Sequence, residues 1–341
     1  MFQSNYSLAS LNSFGIKAFA KLYVEVRTIS ELSKVWQSPQ YRTAKNVLVL
    51  GGGSNLLFTQ DFDGLVIHNL IKGTSTKAEN DETTLVTASA GENWHHFVMY
   101  CVQKQLGGIE NLSLIPGTVG AAPVQNIGAY GVEIKDVMVS LEAFDFQTGK
   151  IVTIQKEECA FGYRDSIFKR FAKGQYFITA VTFRLQNVGY HKLNVSYGAI
   201  AQVLQEMQVV NPTIADISQA VIHIRSVKLP DPKVIGNAGS FFKNPEVLQE
   251  KCDEMLKVYP KMPFYDSPIA SHKKLAAGWL IEQCGWKGKN LGNAAVHNLQ
   301  ALVLTNPGNA TGKEIKELAI AIQQSVWKKF GVTLETEVNI L

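Results

Sequence analysis

Between Pro116 and Gly131 the chain reads PGTVGAAPVQNIGAYG, and nine of those residues are Gly, Ala or Pro. A segment so poor in large side chains buries too little apolar area to be an ordinary core strand. It suits close backbone approach to something flat or pyrophosphate-bearing, with polar Gln125 and Asn126 set inside it. A second glycine cluster closes a compact apolar strand in LVLGGGSNLLF, residues 48–58. Gly51 and Gly53 satisfy the start of G-x-G-x-x-G, but Leu56 stands where Gly or Ala should admit a closely packed helix. No G-x-x-x-x-G-K-[ST] run occurs, since Lys150 is followed by Ile151 and Lys313 by Glu314. What remains is a strand feeding a nest of amides with Ser54 and Asn55. Alone, that signal reads equally as a tight turn between two strands. Two such runs together point to a dinucleotide held by backbone, in a cradle unlike the Rossmann one.

Periodicity organises the rest. Residues 45–50, 64–70 and 83–91 read as strands. Asn93 is placed to cap a helix whose apolar residues Trp94, Phe97, Val98, Cys101 and Val102 follow i, i+3, i+4, i+7, i+8. His95 and His96 fall off that stripe and are expected as solvated helix-face residues, with no third metal ligand at suitable spacing. VMVSLEAFDF and YFITAVTFRL read as further strands, with a turn at residues 147–150. A second region begins near Gln186. It holds a helix around Ile217, Ala220, Val221 and Ile224, then KLPDPKVIGNAGSFFKNP, then a helical stretch ending at Gly285. An amphipathic helix through Ile315, Leu318, Ala319, Ile322, Val326 and Phe330 is stopped by Gly331, and VTLETEVNIL reads as a terminal strand.

At 341 residues the chain is long for one core, and two domains are expected. A net charge of +4, dispersed without blocks, excludes no small anion but argues against nucleic acid as a partner. The cysteines, Cys101, Cys159, Cys252 and Cys284, lie far apart with no C-x-x-C pair, as expected of reduced, mostly buried thiols and not of a disulfide framework or zinc site. The start, MFQSNYSLAS, lacks a basic and apolar leader, and no run approaches a membrane span. A cytoplasmic protein without membrane or metal partners is expected.

Several motifs, in one order from about Asn12 to Ile340, resemble the UDP-N-acetylenolpyruvoylglucosamine reductase family. They are GGGSNLLF, GIENLSLIPGTVGAAPVQNIGAYGVEI, FGYRDSIFK, KLPDPKVIGNAGSFFKNP, LAAGWLIEQCGWKG and VHNLQALVLTN. The resemblance implies an α+β fold: an FAD-binding part of the vanillyl-alcohol-oxidase type in two subdomains, residues 1–72 and 73–187, and a substrate domain over 188–341. NVSYGAI around Tyr197 resembles the longer subtype, whose substrate domain carries an extra tyrosine-bearing loop. Implied cofactor-binding residues are Gly51, Gly52, Gly53, Ser54 and Asn55 in the first run. In the second they are Pro116, Gly117, Gly120, Ala121, Ala122, Gln125, Asn126, Gly128, Ala129 and Gly131. FAD is expected to be noncovalent, because no histidine stands in a flavin-linking context. NADPH is the implied co-substrate, and a monomer is expected.

The implied reaction, in bacterial cell-wall synthesis, reduces the enol ether of UDP-N-acetylglucosamine enolpyruvate, with hydride to C3 and a proton to C2. Charge spreading onto the carboxylate needs a cation, and C2 needs an acid. Arg164 offers a permanent planar cation, and Tyr163 beside it is expected to touch substrate. Read without the resemblance, Arg164 would be a structural partner of Asp165. In the terminal segment a period of two puts Val332, Leu334, Val338 and Ile340 on one face and Glu335 and Glu337 on the other. The resemblance makes Glu337 the catalytic carboxylate and Glu335 its solvated neighbour. Ser240 lacks the G-x-S-x-G elbow of a nucleophile, but its hydroxyl can protonate a strongly basic carbon as charge forms, which is the role the resemblance implies. Arg225 and Lys228, three apart at a helix end, are expected to supply positive charge for the nucleotide, although without the resemblance Lys228 reads as a solvated lysine at a helix C-terminus. The resemblance assigns Lys228, Tyr197, Asn244 and Gln300 to the nucleotide-sugar, with the Tyr197 loop closing over it.

Ala121 and Ala122 stand where serines are associated with the motif, so amides are left to serve the flavin there. Asn339 stands where a basic residue can occur, which puts one substrate-charge contact in doubt. Rival readings are a flavin oxidase of a hydroxy acid or sugar, and a nonenzymatic nucleotide-sugar binder.

Overall fold

The structure, a computed structural model, describes residues 2–341. The chain packs as two compact units. One takes the chain up to Tyr6, Ala20–Gly52 and Asp63–Val227, and the other Ser7–Phe19, Gly53–Phe62 and Lys228–Leu341.

The first unit is built on two sheets. A four-stranded sheet has the order Gln3–Ser7, Phe19–Val26, Phe62–Asn69, Val47–Leu50, and its last pair is parallel, in register from Val47 opposite Leu65 to Leu50 opposite His68. Helix Ile29–Gln37 begins where Thr28 Oγ1 accepts the Glu31 amide at 3.1 Å, and buries Leu32 and Val35 against Val24, Val26, Leu65 and Ile67. A five-stranded antiparallel sheet has the order Lys150–Gln155, Met138–Asp145, Tyr176–Gln186, Thr83–Ser89, Thr74–Ala78.

Helix Trp94–Gln103 packs with that sheet, capped by Asn93 and burying the five residues of the predicted stripe. Each such buried large side chain contributes about 1.5–3 kcal/mol. Trp94 and Phe97 also stack at an angle on Phe183, with centroids 5.9 and 5.1 Å apart. Trp94 Nε1 donates to the Leu112 carbonyl at 2.9 Å, so the helix fixes the segment that leads into the glycine run. Helix Ile214–Lys228 buries Ile217, Ala220, Val221 and Ile224 as the spacing predicts, and packs on helix Gly198–Glu206.

The second unit holds an antiparallel sheet in the order Gly236–Ser240, Val303–Asn306, Ala294–Val296, Asn290–Leu291, and a smaller one of Glu246–Leu248, His272–Leu275 and Phe264–Asp266. Helix Gly312–Phe330 starts in a Thr311–Glu314 capping box and ends at Gly331 in the left-handed region, φ 64°. Tyr259, Trp279 and Phe330 form an aromatic cluster with centroids 5.5–5.8 Å apart.

The four cysteines are free, three of them fully buried, and burial pushes the Cys159 thiol up to about 12. Such thiols stay protonated and inert. No helix of the described residues is long and apolar enough to cross a membrane.

Candidate active site

In the first unit the two glycine runs meet. Strand Val47–Leu50 ends at Gly51; a Cβ on Gly51 would lie 2.5 Å from Thr118 Oγ1, and one on Gly52 3.0 Å from the Gly117 Cα. Only backbone without side chains fits there. The run itself forms two short 3-10 turns, Val119–Ala121 and Pro123–Gln125. The amides of Val119, Gly120, Ala121 and Ala122 donate to the carbonyls of Glu92, Ala90, Thr118 and Val119 at 2.9–3.2 Å. Those four amides are spent within the fold, so this stretch offers a ligand its shape, with Pro116, Ala121 and Gly52 at the surface. Neither Gly51–Gly52 nor residues 116–126 include an acid, so the runs themselves set no like charge against a pyrophosphate. The arrangement fits a pyrophosphate-bearing cofactor.

Asn126 is fully buried and left-handed at φ 47°. Its Nδ2 donates to Glu133 Oε2 and the Gly162 carbonyl, both at 2.9 Å, and its Oδ1 accepts the Lys135 amide at 3.1 Å. Both its donor hydrogens and one acceptor site are used in tying the hairpin Gly128–Ala129/Val132–Glu133 to Gly162 and Lys135. Gln125 is half-buried one residue earlier.

FGYRDS is a tight turn, with Gly162 and Asp165 exchanging backbone hydrogen bonds at 3.0 and 3.3 Å, and Tyr163 and Arg164 at its tip. Arg164 adopts φ 53°, a region a bulky residue seldom enters. Its Nη2 donates to the Gly128 carbonyl, and its guanidinium lies 5.4 Å from the Tyr163 ring centroid. Asp165 is paired with Arg170 at 3.1 Å.

Arg225, on the helix Ile214–Lys228, donates from Nε to the Leu114 carbonyl at 3.2 Å. Burial, and then the like charge of Arg164, push its guanidinium pKa down, while Tyr130 opposes this. A buried guanidinium whose charged form is disfavoured in this way would be relieved by an anion. Tyr197 caps helix Gly198–Glu206, and its half-exposed ring meets Tyr130 edge to face, centroids 5.2 Å apart at 86°. Tyr130 was missed by sequence reasoning, although a lone large aromatic in a run of small residues is a signal in itself. His95 also differs from expectation. Its Nδ1 accepts the Leu114 amide at 3.0 Å from a half-buried position, whereas His96 is exposed. No group of three or more His, Cys, Asp or Glu among the described residues could hold a metal.

In the second unit Ser240 ends strand Gly236–Ser240 beyond a bulge, opposite Val303. Gly239 before it is left-handed, φ 69°, with its amide held by Asn237 Oδ1 at 2.9 Å. The two phenylalanines that follow are buried, which turns the half-buried serine outward from the core. The predicted terminal strand is not continuous. Residues 335–337 pair with 241–243, the Lys243 amide donating to Glu335 at 3.0 Å and the Glu337 amide to Phe241 at 2.8 Å. Asn339–Ile340 then pairs parallel with Leu56–Leu57. The expected alternation holds in part: Val332, Leu334 and Val338 are buried and the Glu335 side chain is 71% exposed beside Lys243, but Ile340 is only half-buried.

This pairing sets Glu337 opposite Phe241, the residue that follows Ser240. Glu337 is held from the other side by Asn55, whose Nδ2 donates to the Glu337 carbonyl at 3.2 Å. Asn339, where a basic residue was possible, donates both its backbone N and its Nδ2 to the Asn55 carbonyl at 3.1 Å. Gly53 packs against Leu11, whose carbonyl oxygen would lie 1.9 Å from an added Cβ, and Ser54 is half-buried in the turn that follows. Asn244 Oδ1 accepts the Ala277 amide at 3.0 Å and Gln300 Oε1 faces Gly278, so both residues meet the start of the helix Ala277–Gln283. Lys228 is exposed at the end of its helix.

Comparison with known proteins bears directly on this arrangement. The model of the UDP-N-acetylenolpyruvoylglucosamine reductase C-terminal domain matches residues 231–341, and an FAD binding domain matches residues 20–155. UDP-N-acetylenolpyruvoylglucosamine reductases of Flavobacterium johnsoniae and Amoebophilus asiaticus are 48% and 50% identical, each over 99% of both chains. That of Neisseria gonorrhoeae is 48% identical over 98% of this chain and 96% of its own. The solved reductase of Thermus caldophilus covers 100% of this chain and 98% of its own, with a TM-score of 0.66 at 22% identity, a likeness of fold. The expected fold class, an FAD-binding domain with an α+β C-terminal domain, is the one found. With both halves matched and relatives alike from end to end, the chain belongs to the UDP-N-acetylenolpyruvoylglucosamine reductase family.

Proposed function

We propose that this chain reduces UDP-N-acetylglucosamine enolpyruvate to UDP-N-acetylmuramate for peptidoglycan, with FAD held noncovalently and NADPH as co-substrate. The observation that best supports these residue roles is the backbone pairing of Glu337 with Phe241, the residue that follows Ser240. Bound FAD supplies the hydride that adds to C3.

Ser240 gives its proton to C2. A serine hydroxyl is too weak an acid for ordinary carbon, but negative charge developing at C2 makes a base strong enough to take it. The alkoxide left behind regains a proton from water. Glu337, with both its amide and its carbonyl held, presents its carboxylate from a fixed backbone and orients the donor. Arg164 stabilises the charge that spreads onto the substrate carboxylate, with Arg225 adding to the same field. Tyr163 contacts the reacting end, and Tyr197, Lys228, Asn244 and Gln300 hold the nucleotide-sugar. The cofactor is served by Gly51–Asn55 and by the run from Pro116 to Gly131, with Asn126 acting through the hairpin that it braces.

The division at 72/73 and 187/188 is proposed as a functional one. The enzyme is proposed to act as a monomer in the cytoplasm, without nucleic acid or membrane. The test is turnover in D2O with NADPH. The expected product is UDP-N-acetylmuramate carrying deuterium at C2, one per NADPH oxidised; absence of the product, or protium at C2, refutes the reading.

A further inference from the structure

Asn111, 1% exposed in the 3-10 turn Glu110–Leu112, touches both segments that carry the tyrosine pair. Its Nδ2 donates to the Tyr130 carbonyl at 3.1 Å and to the Asn194 carbonyl at 2.9 Å. A carboxamide nitrogen has two hydrogens, and both are used. Asn194 completes the clasp: its Nδ2 donates to the Gly131 carbonyl at 3.1 Å, and its Oδ1 accepts from Ser196 N at 3.3 Å and Ser196 Oγ at 2.7 Å. Hairpin tip and loop are thus tied through Asn194, three residues before Tyr197, to Gly131 and, by way of Asn111, to Tyr130.

The two sides differ in firmness. Asn111 sits on a rigid floor, since the Leu112 carbonyl is held by Trp94 and Ser113 Oγ meets Ser218 Oγ at 2.8 Å. Residues 187–197, between strand Tyr176–Gln186 and helix Gly198–Glu206, have no regular structure. Near its root this loop is held by His191 Nε2 donating to the Gln105 carbonyl at 3.0 Å, and near its tip by the asparagines. Asn111 Oδ1 is buried without a partner, a cost that a packing residue would not carry. What the position gains from a carboxamide is therefore its two donors.

We propose that Asn111 and Asn194 are positioning residues that set the affinity for the nucleotide-sugar by holding the Tyr130 and Tyr197 rings in their edge-to-face register. This rests on the reading of Tyr197 as a substrate contact. A loop without the clasp populates the binding-competent arrangement less, and apparent affinity falls by that fraction.

The experiment is steady-state kinetics with UDP-N-acetylglucosamine enolpyruvate on holoenzyme carrying Asn111→Leu, Asn194→Ala, both together, and Tyr197→Ala as reference. Each asparagine variant is expected to raise KM about 5- to 30-fold with kcat changed less than about threefold. The double variant should be no worse than the larger single one, because both break one clasp. If Asn111→Leu does not fold, Asn194→Ala decides alone. An unchanged KM in Asn194→Ala, while Tyr197→Ala raises it, overturns the clasp. A fall in kcat and thermal midpoint without a KM change overturns it too. An unchanged KM in Tyr197→Ala refutes instead the reading of that tyrosine, and the proposal falls with it.

Discussion

Gly52 and Gly117, 65 residues apart in sequence, pack so closely that a Cβ on the first would lie 3.0 Å from the Cα of the second. The contact is backbone against backbone, so no flexible side chain can yield. It joins the end of a parallel strand to the run that begins PGTVG and accounts for glycine at position 52, while Gly117 is a glycine position by its φ of 120°.

Gly52→Ala is therefore expected to push the two runs apart, with an overpacking cost of about 1–3 kcal/mol. FAD titration of the apo-protein should show affinity lowered about tenfold or more. Gly198→Ala, where an added Cβ meets nothing within 4 Å, should leave FAD affinity unchanged. Equal FAD affinity in the two variants would contradict a backbone cradle at Gly52.

The two glutamates of the terminal segment should separate in kinetics. Glu335 is exposed and its 3.3 Å pair with Lys243 is a surface one, worth about 0–1 kcal/mol. Glu335→Gln should change turnover by less than about twofold, and Glu337→Gln should lower kcat about 10²-fold or more. Equal effects would remove the distinction that the pairing with Phe241 draws.

His95 predicts a pH dependence of stability. Burial first, and then the charges of His96 and Arg225, hold its pKa below the usual histidine value. The unfolded chain therefore takes up this proton at higher pH than the folded one, and stability falls as pH drops through about 6.5 towards the folded value. His68 and His297, lowered chiefly by burial, act in the same sense. The melting midpoint should fall between pH 7.5 and 5.5, and His95→Gln, which keeps an acceptor for the Leu114 amide, should flatten that slope. An unaltered slope would contradict the assignment.

Much of this fold was legible where one face had to be buried. The Trp94–Val102 stripe, the Asn93 cap and the Gly331 stop are local rules that the structure follows. Strand Phe19–Val26 gave no clear signal, because Lys21 and Glu25 interrupt its apolar residues. Small residues suggested a cradle at the two glycine runs, with amides left to serve a ligand, but four amides of the second are spent within the fold, two of them on the carbonyls of Glu92 and Ala90, brought in from outside the run. Period two placed Glu337 correctly opposite Val338, yet only long-range pairing with residues 241–243 and 56–57 shows what that segment does. The positions of Arg164, Ser240 and Glu337 came from motif likeness. Tyr130, Asn111 and Asn194 lie inside the quoted motifs, but no local rule singled them out, since their roles depend on bonds between distant segments.

The most direct measurement is anaerobic. Holoenzyme is reduced with NADPH, UDP-N-acetylglucosamine enolpyruvate is added, and flavin absorbance is followed by stopped flow for the wild type and for Ser240→Ala. The wild type should reoxidise without oxygen, while Ser240→Ala should be reduced normally and reoxidise about 10²- to 10⁴-fold more slowly. A wild type that stays reduced, or a serine variant slowed equally in both half-reactions, would contradict the account.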